Sequence, residues 1–152
     1  MMQRRTLLQT IGLLALPTPL MLSAKNTLPT IDVYKSATCG CCTQWVEHLQ
    51  KNGFSVNARN VPNTAAYRAQ FGVPAALGSC HTGLVAGYAL EGHVPASEIK
   101  RLLAEKPRAR GLAVPQMPMG SPGMEGAYSD AYDVLLFQTD GSASVYRRYA
   151  AK

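Results

Sequence analysis

Ile31-Asp32-Val33-Tyr34 alternates apolar and polar positions and is rich in β-branched residues, the period-two signature of a short strand. After Cys42 the period changes. Trp45, Val46 and Leu49 share one helical face, with Gln44, Glu47, His48, Gln50 and Lys51 on the other, so His48 reads as solvated. Asn52-Gly53 ends this helix, because glycine tolerates the left-handed conformation found at helix ends. Phe54, Val56 and Ala58 then alternate against Ser55, Asn57 and Arg59, which predicts a second strand over residues 54–61. Asn63 is placed to cap a short helix reaching Phe71 and closed by Gly72. Two further strands, through Leu84-Val85 and Tyr88 to Gly92, are joined by a tight turn at Ala86-Gly87. Pro95 suits the first position of a third helix. Its Ile99, Leu102 and Leu103 face inward, and Lys106-Pro107 stops it. Residues 107–131 show no periodicity and read as a long Pro/Gly/Met-rich loop carrying Met117, Met119 and Met124. Residues 133–137 and 144–146 flank Thr139-Asp140-Gly141-Ser142, which predicts a terminal hairpin.

The order strand, helix, strand, helix, strand, strand, helix is that of a thioredoxin-like α/β domain, here with an added Pro/Gly/Met-rich loop and a C-terminal β-hairpin. One domain over residues 30–150 is expected. Ahead of it, Met1 to Arg5 is a short basic region, and the run from Leu7 to Leu22 is mostly apolar. The run is interrupted by Pro17 and Pro19 and falls short of the about 20 apolar residues a spanning helix needs. Residues 1–24 therefore read as a cleaved export signal rather than an anchor, and Arg4-Arg5 also fits a twin-arginine signal. Its removal lowers the formal charge from +6 to +4, since the segment carries two arginines and no acid. The remaining cations are scattered, without an aromatic-interleaved basic stripe, which argues against nucleic-acid binding.

Cysteine changes the picture most. Three of four cysteines lie in Cys39-Gly40-Cys41-Cys42, in the turn between the first strand and the first helix. Unpaired N–H groups and the helix dipole at such a terminus favour thiolate. Two structural disulfides fit this spacing poorly. A Cys41–Cys42 bridge would close a strained ring, and a Cys39–Cys42 bridge leaves Cys41 without a local partner, only Cys80 remaining. In the thioredoxin-like arrangement, Ser79-Cys80-His81-Thr82 stands where a cis-proline usually faces the thiol turn, which brings a fourth sulfur to the other three. Four converging sulfurs suit a soft metal: copper(I), zinc or an iron–sulfur cluster. Three ligands in four residues are too crowded for the usual structural zinc knuckles, and suit thiolates bridging several copper(I) ions. His81 follows Cys80 directly and in a regular strand would point to the opposite face, which favours a supporting role over ligation unless a bulge re-aims it. His93 reads as a turn or packing residue. The three methionines could offer thioether sulfurs or simply form an apolar lid.

The segments Val33-Tyr34-Lys35-Ser36, Thr38-Cys39-Gly40-Cys41-Cys42, Ser79-Cys80-His81-Thr82, Glu91-Gly92-His93-Val94-Pro95 and the Met117-to-Glu125 stretch (Met-Pro-x-Gly-Ser-Pro-Gly-Met-Glu) resemble, in order, the signatures of the CopG-type family. These are exported, thioredoxin-like proteins of bacterial copper-resistance systems. The resemblance runs from about Thr30 to Tyr149. It implies a periplasmic protein in which Cys39, Cys41, Cys42 and Cys80 bind copper(I), as a small multinuclear thiolate cluster that can also cycle through disulfides. It further implies copper ions and other periplasmic copper-resistance proteins as partners, and no membrane anchor once the signal is cut. A metal-binding protein is thus expected rather than an enzyme. The competing expectation is a thiol–disulfide oxidoreductase in which Cys39 attacks and Cys42 resolves.

Overall fold

The computed structural model describes residues 27–152; the expected export signal, residues 1–24, lies outside them. Alternation in β1 (Ile31–Lys35) buries Ile31, Val33 and Lys35 on one side, with Asp32 and Tyr34 half-buried on the other. The first helix, α1 (Gly40–Lys51), inserts Cys42, Trp45, Val46 and Leu49 toward the sheet. It ends where expected, and Gly53 takes a φ of +89°. Strand β2 (Val56–Asn60) is shorter than the alternation suggested, because it is an edge strand with only Val56 partly covered. Asn63 caps α2 (Thr64–Gln70) by accepting the Ala66 N–H at 3.3 Å.

Strands β3 (His81–Val85) and β4 (Tyr88–Gly92) form a hairpin through Ala86 and Gly87, both at positive φ. Helix α3 (Ala96–Glu105) has Pro95 as its N-cap residue, one position earlier than the expected first turn. Lys106, in left-handed conformation, ends it.

The expected long loop is interrupted by a central strand. β5 (Gly111–Val114) pairs parallel to β4 and antiparallel to β6 (Tyr132–Phe137), which in turn pairs with β7 (Ala143–Tyr149). The result is one seven-stranded sheet in the order β2-β1-β3-β4-β5-β6-β7. The terminal hairpin is therefore a continuation of the thioredoxin-like sheet rather than a separate appendage. All four β5 residues are buried, so Leu112 and Val114 serve one core and Ala113 the other, and no polar residue marks a solvent face. Gly111 lies so close to β4 that a Cβ would run into the Ala89 carbonyl.

Packing divides between the two faces. Trp45, Leu49, Phe54, Ile99 and Leu102 form the larger core, and full burial of each such side chain is worth about 1.5–3 kcal/mol. On the opposite face Phe71, Val73 and Phe137 pack with Tyr34 and Tyr67, whose rings stack at 4.1 Å. Among the described residues no helix is long and apolar enough to cross a membrane.

Candidate metal centre

The thiol turn lies at the C-terminal end of β1, where the chain reverses into α1. Cys39 is the N-cap residue, with extended backbone, and Cys41 and Cys42 fall in the first turn. The unpaired first-turn N–H groups and the positive end of the helix dipole lie at this terminus, although the Cys39 side chain itself caps none of them. Cys39 and Cys42 are joined as a disulfide, and Cys41 and Cys80 are free thiols. Each sulfur of the disulfide has a free thiol against it: Cys41 Sγ is 3.5 Å from Cys39 Sγ, and Cys80 Sγ is 3.4 Å from Cys42 Sγ. All four sulfurs lie within 4.8 Å of one another. Adding two electrons and two protons to the disulfide would present four convergent soft donors, suited to a thiophilic ion.

Cys80 sits on irregular backbone just before β3 begins at His81. The strand alternation used to turn His81 away therefore does not apply at Cys80. His81 Nδ1 lies 3.6 Å from Cys80 Sγ, and the ring packs 4.3 Å from Trp45. His93, read from the sequence as a packing residue, approaches the same sulfur with Nε2 at 3.6 Å. Cys80, His81 and His93 form a second convergent donor group that shares Cys80 with the first. Ser121 sets the tautomer of His93. Its hydroxyl donates to the Pro118 carbonyl at 2.7 Å, so its oxygen is left to accept from His93 Nδ1 at 3.4 Å. The lone pair on Nε2 then faces Cys80.

Electrostatics follow burial. Burial, followed by the neighbouring Cys41, pushes the Cys80 thiol up to about 11. Burial and then His93 push His81 down to about 3, and burial lowers His93 to about 4, so both rings are neutral donors near neutral pH.

The 115–131 segment closes one side of the site. Gly123 packs against α1, where a Cβ would stand 2.7 Å from the Cys41 carbonyl oxygen. Met117 brings Sδ to 3.8 Å from Cys41 Sγ while remaining 40% exposed. Met117 and Met124 line an open groove of about 670 Å³ with Gln116, Pro118, Asp130 and Ala131, and Met119 packs by its methyl near Gly126. Of the three methionines, Met117 is the one brought to a cysteine.

His48 is corrected by the structure. It is half-buried, and its Nε2 accepts the Ala96 N–H at 3.1 Å, capping α3 from α1. Burial lowers its pKa.

Sequence reasoning missed the position of His93, the supporting Ser121, and the buried Glu91 behind Cys80. The local signal available was the cluster of motifs around them, without any indication of which atoms would meet.

A family model described as "Protein of unknown function, DUF411" matches residues 77–124, the stretch from just before Cys80 to Met124. No curated protein matches. Two solved structures, "Copper resistance protein copG- Form 1" and "Form 2", are each 46% identical to this chain, with a TM-score of 0.76. They cover 81% and 80% of this chain, respectively, and the alignments cover 98% of each of those chains.

Proposed function

Because the chain belongs to the CopG family of copper-resistance proteins, we propose that it binds copper(I) in the periplasm through the thiolates of Cys39, Cys41, Cys42 and Cys80. The observation that carries this reading is the gathering of four sulfurs within 4.8 Å, two of them free thiols in contact with the two halves of a disulfide. Thiolates of this density are best used as bridges between copper(I) ions, since each sulfur can serve more than one soft ion. Copper in this reading is the cargo of the protein, not a resident cofactor. The approach of His93 Nε2 to Cys80 and of Met117 Sδ to Cys41 supports a borderline nitrogen and a soft thioether as further donors, while the imidazole of His81 packs against Trp45 beside Cys80.

The Cys39–Cys42 disulfide gives the protein a second state. In the oxidised form two sulfurs are withdrawn from the donor set; two-electron reduction by an external dithiol restores them. Copper affinity is accordingly tied to the redox poise of the compartment. Handling or relay of copper toward other periplasmic copper-resistance proteins is the role that fits such a site.

The same disulfide favours one other reading, a thiol–disulfide oxidoreductase in which Cys39 attacks and Cys42 resolves. Such chemistry has no use for Cys41, whereas a bridged cluster needs it. The test is anaerobic reconstitution of the fully reduced protein with copper(I), followed by metal counting and sulfur-to-copper charge-transfer absorbance. Cys41→Ser should lower the copper count and alter the spectrum without unfolding the chain. Equal stoichiometry, affinity and spectrum in Cys41→Ser would overturn the four-thiolate site, and insulin-reduction activity of the metal-free protein would then favour the oxidoreductase.

A further inference from the structure

Behind Cys80 lies a buried ion pair that takes no part in the sulfur chemistry. Glu91, on β4, is fully buried, and Arg68, from α2, reaches it with Nε at 2.8 Å. Glu91 Oε1 also accepts the Ser79 N–H at 2.6 Å, and Oε2 accepts the Thr82 hydroxyl at 2.7 Å. Arg68 Nη2 donates in addition to the Ser79 carbonyl oxygen. Both backbone groups of the residue before Cys80 are thus held by side chains, and a residue two beyond it is held by the same carboxylate.

This arrangement has a local cause. Residues 78–80 lie between a short 3-10 turn (Ala75–Leu77) and β3, outside any regular ladder. Buried backbone N–H and C=O groups there must find partners, and no strand supplies them to Ser79. Apolar replacements would spare the desolvation of two charges but leave the Ser79 N–H and C=O without these partners, so the net gain in stability from the pair is modest. What the pair adds is direction, through a planar guanidinium and a carboxylate with fixed hydrogen-bond geometry.

We infer that Arg68 and Glu91 are positioning residues that hold the Ser79–Thr82 segment so that Cys80 Sγ stays against Cys42 Sγ. The inference rests on Cys80 belonging to the proposed thiol site, and it adds the device that keeps the fourth sulfur there. Releasing the clamp lets Cys80 swing away from the other three sulfurs while the sheet and α1 stay in place.

The test is the alkylation rate of Cys80 by iodoacetamide in the reduced, metal-free chain, resolved by peptide mass mapping, with Cys41 in the same molecule as reference. In Glu91→Gln and Arg68→Met the Cys80-to-Cys41 rate ratio should rise about tenfold or more, the scale set by losing a charge-assisted hydrogen bond that restrains local opening. Arg68→Lys keeps the charge and loses the fork, so its ratio should fall between these and the parent. Thr82→Val leaves the ion pair whole and should give a smaller rise; it serves where the charge variants fail to fold. Melting temperatures are recorded alongside, because a merely structural pair would lower them without changing the ratio. A folded set in which melting falls and the ratio stays at the parental value overturns the inference. Copper(I) stoichiometry of the same variants should fall as the ratio rises. A parent that bound no copper(I) would overturn the proposed function and leave the alkylation ratio still deciding the clamp.

Discussion

His81 is the best-placed residue for a quantitative test of how burial shapes this site. Its imidazole is fully buried, its Nε2 finds no hydrogen-bond partner among the described residues, and its pKa is depressed to about 3 by burial first and His93 second. An unfolded histidine titrates near about 6.5. Between those two values the unfolded chain binds a proton that the folded one refuses, so stability is whole above the unfolded value and falls as pH drops through the window. At pH 5 the loss attributable to this one group is about 2 kcal/mol, and it continues to grow toward pH 3. His81→Phe removes the titration and keeps a flat ring against Trp45. Relief of the orphaned Nε2 offsets the lost Nδ1 contact to Cys80 and the larger volume of Phe in a buried site, so stability at pH 7 should change little. Urea unfolding of the reduced, metal-free protein at pH 7 and pH 5 measures the effect: the stability lost between the two should shrink by about 2 kcal/mol in His81→Phe. His93, depressed in the same direction, leaves a residual slope in the variant. An unchanged difference between pH 7 and pH 5 would refute the assignment of this acid sensitivity to His81.

Two further outcomes are expected. His48→Leu removes the side chain that caps Ala96 N–H and should cost about 1 kcal/mol at neutral pH by thermal or urea unfolding; because burial holds the His48 pKa below its ordinary value, the parent's share of this stability should decline as pH falls below about 6.5. Met117→Leu should weaken copper(I) binding or shift its charge-transfer bands with the fold intact, whereas Met119→Leu with Met124→Leu, nearly conserving volume, should leave both unchanged; the reverse pattern in metal titrations would remove Met117 from the donor set.

Much of the molecule is legible as local pattern. Alternation in residues 31–35, the apolar stripe of Trp45, Val46 and Leu49, the Asn63 cap and the Ala86-Gly87 turn each follow from periodicity or backbone chemistry contained in a few consecutive residues. The crowding of Cys39, Cys41 and Cys42 at a strand-to-helix turn is equally local, and the element order was enough to bring Cys80 to it, as the 3.4 Å approach to Cys42 bears out. What tertiary structure decided has a common physical origin in partners distant along the chain. A four-residue strand buried on both faces carries no alternation, so β5 becomes a strand only because β4 and β6 flank it and claim its backbone groups. His48 leaves solvent because Ala96 presents an unpaired N–H to it, 48 positions away. His93 turns toward Cys80 with its lone pair exposed because Ser121 takes its proton side, and Glu91 is tolerated without solvent because Arg68, Ser79 and Thr82 converge on it. Periodicity states which face a residue occupies; only the folded chain states which atoms wait on the other side, and polar groups are kept inside by those atoms.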